Sequence, residues 1–553
     1  MKSIRLYIIL FLFGLLTGCF EDEGNYSYEE INPPLWSDNF NTSSPKRILA
    51  YAGDGEVMEF RGSKMFTWET DSAMRAEEVR YEWKIKGVVI SEELDFDMPT
   101  DEVVKKIGLT RYSNDMGEWG TFSVIEKKTG ITFPARLFVY FYPPFAPHDW
   151  FILSENGGNS KVSVISPRTV LENGKETFNY KLKEDVYATI NGHDIPGKPK
   201  DLVMETSRDV SAGGACVILT DQVAYEVNVQ TMTKVDEVKD QFLDGAPADF
   251  KIAAMREKAP SSPSFGEGAA SFIVTEDGRL FTRMRSANYL VGKYLTEPYY
   301  IDANGYEITM LGHSTYGQNI PCYDAKNRRI VMATTWREDM YNKTSVYKTR
   351  VIPLKTHQTV PVSEFAEGTE MLYLSQKHHI PFFYDGTTLL FTAYYNDPNY
   401  PATLVGDFGF DNRSASFHFN GFERWFRLPV KLDASSVFLV SSTYRSSTYA
   451  EDAKYRDFYS VGNELYFVQR AADWMDTSVR FLKFNATIPS KITSLAYAFF
   501  DLDQLWIGCE DGTIQAYDIR NINSPVLLFE KNVGGKVASI KQIGWHTTSH
   551  DWY

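Results

Sequence analysis

The residues able to do chemistry are few and scattered. Gly312-His313-Ser314-Thr315-Tyr316-Gly317 sets an imidazole beside a hydroxyl, the pairing that activates a nucleophile. A nucleophile elbow needs Gly-x-Ser-x-Gly to make its strained turn. Here one residue too many separates Ser314 from the second glycine, so the stretch reads as a loop. His378-His379 precedes an apolar run, but neighbours on a strand face opposite ways and cannot chelate one metal. His546 and His550 would share a face only on a helix, and Thr547-Thr548-Ser549 between them favours extended chain. Asp95-Phe96-Asp97 and Asp501-Leu502-Asp503 could offer carboxylates to calcium or form an acid–base pair. Alternating Asp also simply caps turns. H-E-x-x-H, P-loop, Gly-x-Gly-x-x-Gly and C-x-x-C spacings are missing from the sequence. The expectation is therefore no catalytic residue, no metal site and no cofactor.

A different chemistry is expected at Cys19. Lys2 and Arg5 form a basic head, and Leu6 to Leu16 is an uncharged apolar run. It is too short for a span, which takes about 20 residues, and fits a secretory signal. Leu16-Thr17-Gly18-Cys19 resembles the bacterial lipobox. That resemblance implies cleavage before Cys19 and a lipid on its thiol. Glu21, Asp22 and Glu23 behind it resemble a surface-export signal and serve equally well as a solvated tether. No later apolar run reaches spanning length. The expected location is the outer membrane, lipid-anchored and facing out.

Aromatic side chains are the other candidates. They make up 15% of the 553 residues. Tyr299, Tyr300, Tyr394, Tyr395, Trp425, Tyr444 and Tyr449 fall in or near expected loops, with Tyr400 beside them. Flat rings suit the CH faces of sugars, and they also suit packing. The connections at 286–320 and 430–457 are rich in Tyr, Ser, Thr and Asn, as recognition loops are. A net charge of −15 argues against nucleic acid, which demands a basic footprint. Cys216, Cys322 and Cys509 lie in strand-like surroundings and read as buried thiols, with room for at most one disulfide.

The elements that must position these residues are strands. Residues 1–18 are the signal peptide, and 19–46, with Pro33-Pro34 and Pro45, read as a tether. From 47 to 145 the runs Met65 to Glu69, Val79 to Ile85 and Arg136 to Phe141 are aromatic and β-branched. Lys127-Lys128-Thr129-Gly130 reads as a hairpin turn. These features predict a β-sandwich of about seven strands. Tyr81-Glu82-Trp83-Lys84-Ile85-Lys86-Gly87 resembles the Tyr-x-Trp strand of immunoglobulin-like polycystic-kidney-disease (PKD) domains, and Asp115 to Tyr140 resembles their last strands. Gly24-Asn25-Tyr26-Ser27-Tyr28 with Ile31-Asn32 is similar to the opening of PKD-like lipoproteins of glycan-foraging Gram-negative bacteria. The usual Gly-Asp-Gly is replaced by Lys86-Gly87-Val88.

Beyond Pro147 one device recurs: an apolar run, a turn of Asp, Asn or Gly, then a second apolar run. The turns begin near 156, 221, 277, 325, 385, 462 and 502. Blades of a propeller take about 40–50 residues each. Seven units over 148–553 therefore predict a seven-bladed β-propeller, in an all-β chain. Two further β-sandwiches are the rival architecture. The best helical candidate, Phe250 to Lys258, is short. Two functions remain open. One is a surface-anchored, non-enzymatic lipoprotein that binds glycan, peptide or a partner of an outer-membrane uptake system. The other is a propeller enzyme, a polysaccharide lyase or hydrolase working at the central channel.

Overall fold

A computed structural model describes residues 33–543 apart from 38–44, 54, 70–75, 110–111, 113–116, 146–148, 173–174, 206–213, 259–268, 286–291, 315–318, 338–346, 356–358, 378–387, 412–417, 441–455, 471–477 and 498–503. The chain is all-β and divides into two compact units, the second running from Tyr142 onward with two short earlier segments.

The first unit is built on a five-stranded sheet. Its strands are, in spatial order, Lys46–Tyr51, Thr132–Tyr142, Glu118–Glu126, Val79–Ile85 and Val88–Ser91. Two short ladders, Val57–Arg61 with Asp95–Pro99 and Leu35–Trp36 with Phe66–Thr67, complete it. Trp83 is 2% exposed. Its ring meets Phe122 at 4.3 Å and Phe60 at 5.2 Å, and its indole N–H donates to the Glu93 carbonyl at 2.9 Å. Lys86 and Gly87 both take positive φ, giving the two-residue turn that joins Val79–Ile85 to Val88–Ser91. The departure from Gly-Asp-Gly is thus a tight hairpin. Asp95 accepts from the Ser63 amide and hydroxyl, and Asp97 pairs with Arg61 at 2.5 Å, so both carboxylates serve the local fold.

In the second unit the described strands form seven antiparallel sheets. Sheet one orders Val537–Gln542, Trp150–Asn156, Asn159–Glu172 and Lys175–Lys183, so the last of the described strands leads the first sheet. Sheet two runs Pro199–Glu205, Ala215–Thr220, Ala224–Asn228, Lys234–Glu237; sheet three Ile252–Lys258, Ala269–Thr275, Leu280–Arg285. Sheet four runs Ile308–Leu311, Ile320–Asp324, Arg329–Arg337, Tyr347–Pro353. Sheet five runs Glu370–Lys377, Thr388–Asn396, Leu404–Asp411, His418–Arg427, with His313–Ser314 paired in parallel on its first strand. Sheet six runs Phe438–Val440, Arg456–Val461, Glu464–Arg470, Val479–Lys483; sheet seven Ile492–Tyr497, Gln504–Cys509, Thr513–Asp518, Val526–Asn532. Each leading strand lies against the next, and that of sheet seven against that of sheet one.

The strands read as continuous apolar runs because both faces are covered. In Ala215–Thr220, Cys216 and Ile218 enter the core shared with sheet one, while Val217 and Leu219 enter the core shared with sheet three. The same alternation repeats around the unit. Trp150 and Ile152 meet Trp506 of sheet seven, whose other neighbours Leu505 and Ile507 face sheet six. Trp150 and Trp506 stack at 4.3 Å, both 1% exposed or less. The Cys216, Cys322 and Cys509 thiols are buried in three separate cores. Burial pushes the Cys322 thiol up to about 12 and that of Cys509 to about 11.

Phe250 to Lys258 is not a helix. Ile252–Lys258 is the leading strand of sheet three, its register fixed by pairing with Ala269–Thr275. The described α-helices Thr100–Lys106 and Val186–Asn191 are elsewhere. Among the described residues no helix is long and apolar enough to cross a membrane. Five of the seven expected turns join the second and third strands of their sheets. Those near 385 and 502 fall between first and second strands and lie outside the described residues.

Candidate functional site

Charged side chains on the leading strands of sheets one, two and three converge with His313. Asp201 is the third residue of Pro199–Glu205, where a register shift between Pro199 and Asp201 interrupts the ladder. Its carboxylate is fully engaged. One oxygen accepts from the Ser539 hydroxyl at 2.7 Å and the Leu202 amide at 2.9 Å. The other accepts from Arg256 Nη1 at 2.9 Å. Ser539 and Lys541 lie two apart on Val537–Gln542 and so share a face of that strand. The Lys541 ammonium stands 3.9 Å from Asp201, beyond hydrogen-bonding distance.

Arg256 links the cluster onward. Its Nη1 also donates to the Met255 carbonyl at 2.7 Å, and its Nη2 lies 3.2 Å from His313 Nε2. Its Nε is buried without a partner. A guanidinium only donates, so His313 Nε2 is the acceptor and the proton sits on Nδ1. The imidazole stacks on Tyr373 of sheet five at 5.0 Å and 21°. Further along that side, the Tyr394 hydroxyl donates to Asp457 of sheet six at 2.9 Å.

Two cations oppose one carboxylate, and the electrostatics follow. Burial alone would raise the Asp201 carboxyl; Lys541, then Arg256 and the Ser539 hydroxyl, outweigh it and hold it at about 2. Burial lowers His313 well below the usual imidazole range, and Arg256 and Lys541 push the same way against Asp201. Around neutral pH the cluster therefore carries one ionised carboxylate, two cations and a neutral imidazole. Among the described residues no three His, Cys, Asp or Glu side chains converge to hold a metal ion.

The aromatic candidates are dispersed. Tyr394 and Tyr395 are not loop residues: they lie in Thr388–Asn396, 0% and 1% exposed, with rings in the cores toward sheets six and four. Tyr395 accepts from the Trp425 indole N–H at 3.2 Å. Tyr299 is half-buried in the core of sheets three and four, and its hydroxyl donates to the Thr349 carbonyl at 3.3 Å. Tyr300 beside it is 71% exposed. Trp425 is half-buried with Tyr400 edge-on at 5.6 Å, and the exposed Arg427 guanidinium lies over both rings. Cys19, Tyr444, Tyr449, His378, His379, His546, His550 and the Asp501–Asp503 pair lie outside the described residues.

Sequence reasoning named His313 but missed Asp201, Arg256, Ser539, Lys541 and Tyr373. A signal was present. Asp201 stands before Leu202-Val203, and Arg256 after Ile252-Ala253-Ala254-Met255, each a charge set into an apolar strand. Reading Phe250 to Lys258 as helical hid the second.

Residues 19–199 match the family model described as PKD-like family, which bears out the resemblance seen around Trp83. The match extends past Trp150–Asn156, Asn159–Glu172 and Lys175–Lys183 of sheet one to the first residue of sheet two. No curated protein matches the sequence. Similar solved structures include a quinonprotein alcohol dehydrogenase-like protein from Bacteroides thetaiotaomicron, 11% identical, covering 92% of this chain and 99% of its own, with a TM-score of 0.28. A six-bladed fungal lectin of Aleuria aurantia is 11% identical, covering 61% and 96%, with a TM-score of 0.32. The GH93 α-L-arabinofuranosidase of Fusarium graminearum is 10% identical, covering 62% and 93%, with a TM-score of 0.33.

Proposed function

We propose that this chain is a surface-anchored, non-enzymatic binding lipoprotein. Residues 1–18 are its signal peptide, Cys19 carries the lipid, 19–46 form the tether and 47–145 a spacer sandwich. The seven sheets are the blades of a β-propeller over 148–553, with the leading strands lining its channel. The ligand is a glycan or peptide, delivered to an outer-membrane uptake system. The exposed Tyr300, the Tyr400–Trp425–Arg427 group, Tyr444 and Tyr449 are its peripheral contacts.

The observation that supports binding over chemistry is the state of the leading-strand cluster. A general acid or base works best with a pKa near the operating pH. Asp201 is held at about 2 with both oxygens engaged, and His313 is held neutral far below its usual range. Such groups form a fixed charged surface and exchange protons poorly near pH 7. The convergence of a leading-strand carboxylate with an imidazole favours a second reading, a lyase or hydrolase acting there.

One experiment separates them. Cells carrying wild type or Cys19→Ala are incubated with labelled glycan and peptide panels and with palmitate. Wild-type cells retain a ligand at unchanged length, and Cys19→Ala loses palmitate and retention together. Shortening of a ligand by wild type, abolished by Asp201→Asn or His313→Gln, overturns the binding reading. Retention unaffected by Cys19→Ala overturns the anchor.

A further inference from the structure

The charge arithmetic of the leading-strand cluster does not close. Asp201 neutralises one cation, and its hydrogen-bonding positions are taken by Arg256, Ser539 and the Leu202 amide. Lys541 is left 3.9 Å away, 36% exposed, and its ammonium donates no hydrogen bond to another described residue. Its three N–H groups are therefore left to solvent or to a ligand.

A second donor lies in the same cluster. Arg256 occupies His313 Nε2, which places the proton on Nδ1. Among the described residues nothing accepts from that Nδ1–H. The ring is fixed by its stack on Tyr373 and by the parallel pairing of His313–Ser314 with Ser375–Gln376. The residue as a whole is half-buried. Arg256 acts as a positioning residue: it selects the tautomer and adds positive potential from behind, where it is held to Asp201.

We propose that the Lys541 ammonium and the His313 Nδ1–H form a site for a singly charged oxyanion carried by a sugar, either a uronic acid carboxylate or a sulfate ester. One negative charge balances the one uncompensated cation. A dianion would restore a net charge to a partly desolvated place, which costs free energy. Charge-assisted hydrogen bonds of this kind are about twice as strong as neutral ones, so a lone donor pair can select for charge. The proposal rests on the binding reading given above and adds the ligand's charge class.

The test uses the full chain in detergent micelles and three probes: glucuronate, N-acetylglucosamine 6-sulfate and glucose. Titration calorimetry should show saturation by a charged sugar and none by glucose. Glucuronate alone identifies the carboxylate as the source; the sulfated sugar alone identifies the ester. Lys541→Met should weaken the saturating probe about tenfold or more, and Lys541→Arg should recover most of it. In wild type the His313 Nδ1 resonance should move with that probe and stay still with glucose, a readout that survives if Lys541→Met misfolds. Equal response to glucose, a Lys541→Met affinity within twofold of wild type, or an unmoved His313 resonance overturns the proposal. Retention of a neutral polymer by cells would persist if this site alone fails. Binding of the charged sugar in micelles would persist if surface retention alone fails.

Discussion

At the residue scale, His313 has an unusual setting for an imidazole: neutral, stacked, and beside two cations. Its proton affinity is lowered by burial first and by Arg256 and Lys541 after it. In the unfolded chain the same ring takes a proton near pH 6.5. As pH falls through that value the unfolded state gains a proton that the folded state refuses, so stability is present above it and lost below. Asp201 continues the trend lower down, from the usual carboxylate range to about 2. The thermal midpoint of wild type should therefore fall between pH 7 and pH 5 more steeply than that of His313→Gln. Parallel midpoints for the two proteins across that window would show that His313 titrates normally in the folded state.

At the element scale, hairpins decide which strands pair, and glycines decide the hairpins. Gly512 has φ +88°, and a methyl there would meet the backbone of Gly534 and Gly535 at 2.9 Å. Gly512→Ala should destabilise the second unit by more than about 1 kcal/mol in urea unfolding, and by more than Gly462→Ala, where the positive φ alone is strained and the added methyl meets open space. The hairpin Cys509-Glu510-Asp511-Gly512-Thr513 is legible in the sequence by its Asp-Gly turn. So is the Trp83 strand, because an aromatic run ending in Lys-Gly carries its own turn. Ile252–Lys258 is not. Ala, Met, Glu and Lys are good helix formers, and pairing with Ala269–Thr275 overrides that preference. The rhythm of apolar run, turn and apolar run was visible but not its phase, since first and second hairpins of a sheet look alike. That is why the marks at 385 and 502 sit one hairpin early. The site was the least legible part. Asp201, Arg256, His313 and Lys541 are separated by most of the second unit, and only the succession of leading strands brings them together.

At the scale of the whole molecule, sheet one takes three strands from the start of the second unit and its leading strand from the end. Val537 and Ile540 enter the core with Trp150 and Trp506, and Lys541 and Ser539 belong to the candidate site. Removing residues 537–553 strips those contacts and uncovers the edge of Trp150–Asn156. Loss of this strand should lower the midpoint by more than about 10 °C or abolish cooperative unfolding, since several buried aliphatic side chains vanish at about 1.5–3 kcal/mol each. A truncated chain with an unchanged midpoint in differential scanning calorimetry would remove the last strand from any account of stability.

The pairing of Val537–Gln542 with Trp150–Asn156 also sets the order in which the sheets can be completed as the chain is made. Sheets two to seven can form as they emerge, but the first one made is the last one finished. Until Val537–Gln542 arrives, Trp150 and Ile152 lack part of their cover and the Asp201 cluster lacks Lys541. A chain released early by a stalled ribosome or a nonsense codon carries an open edge, which proteases and chaperones recognise. Cover for the first sheet and completion of the charged cluster thus wait on one and the same late strand.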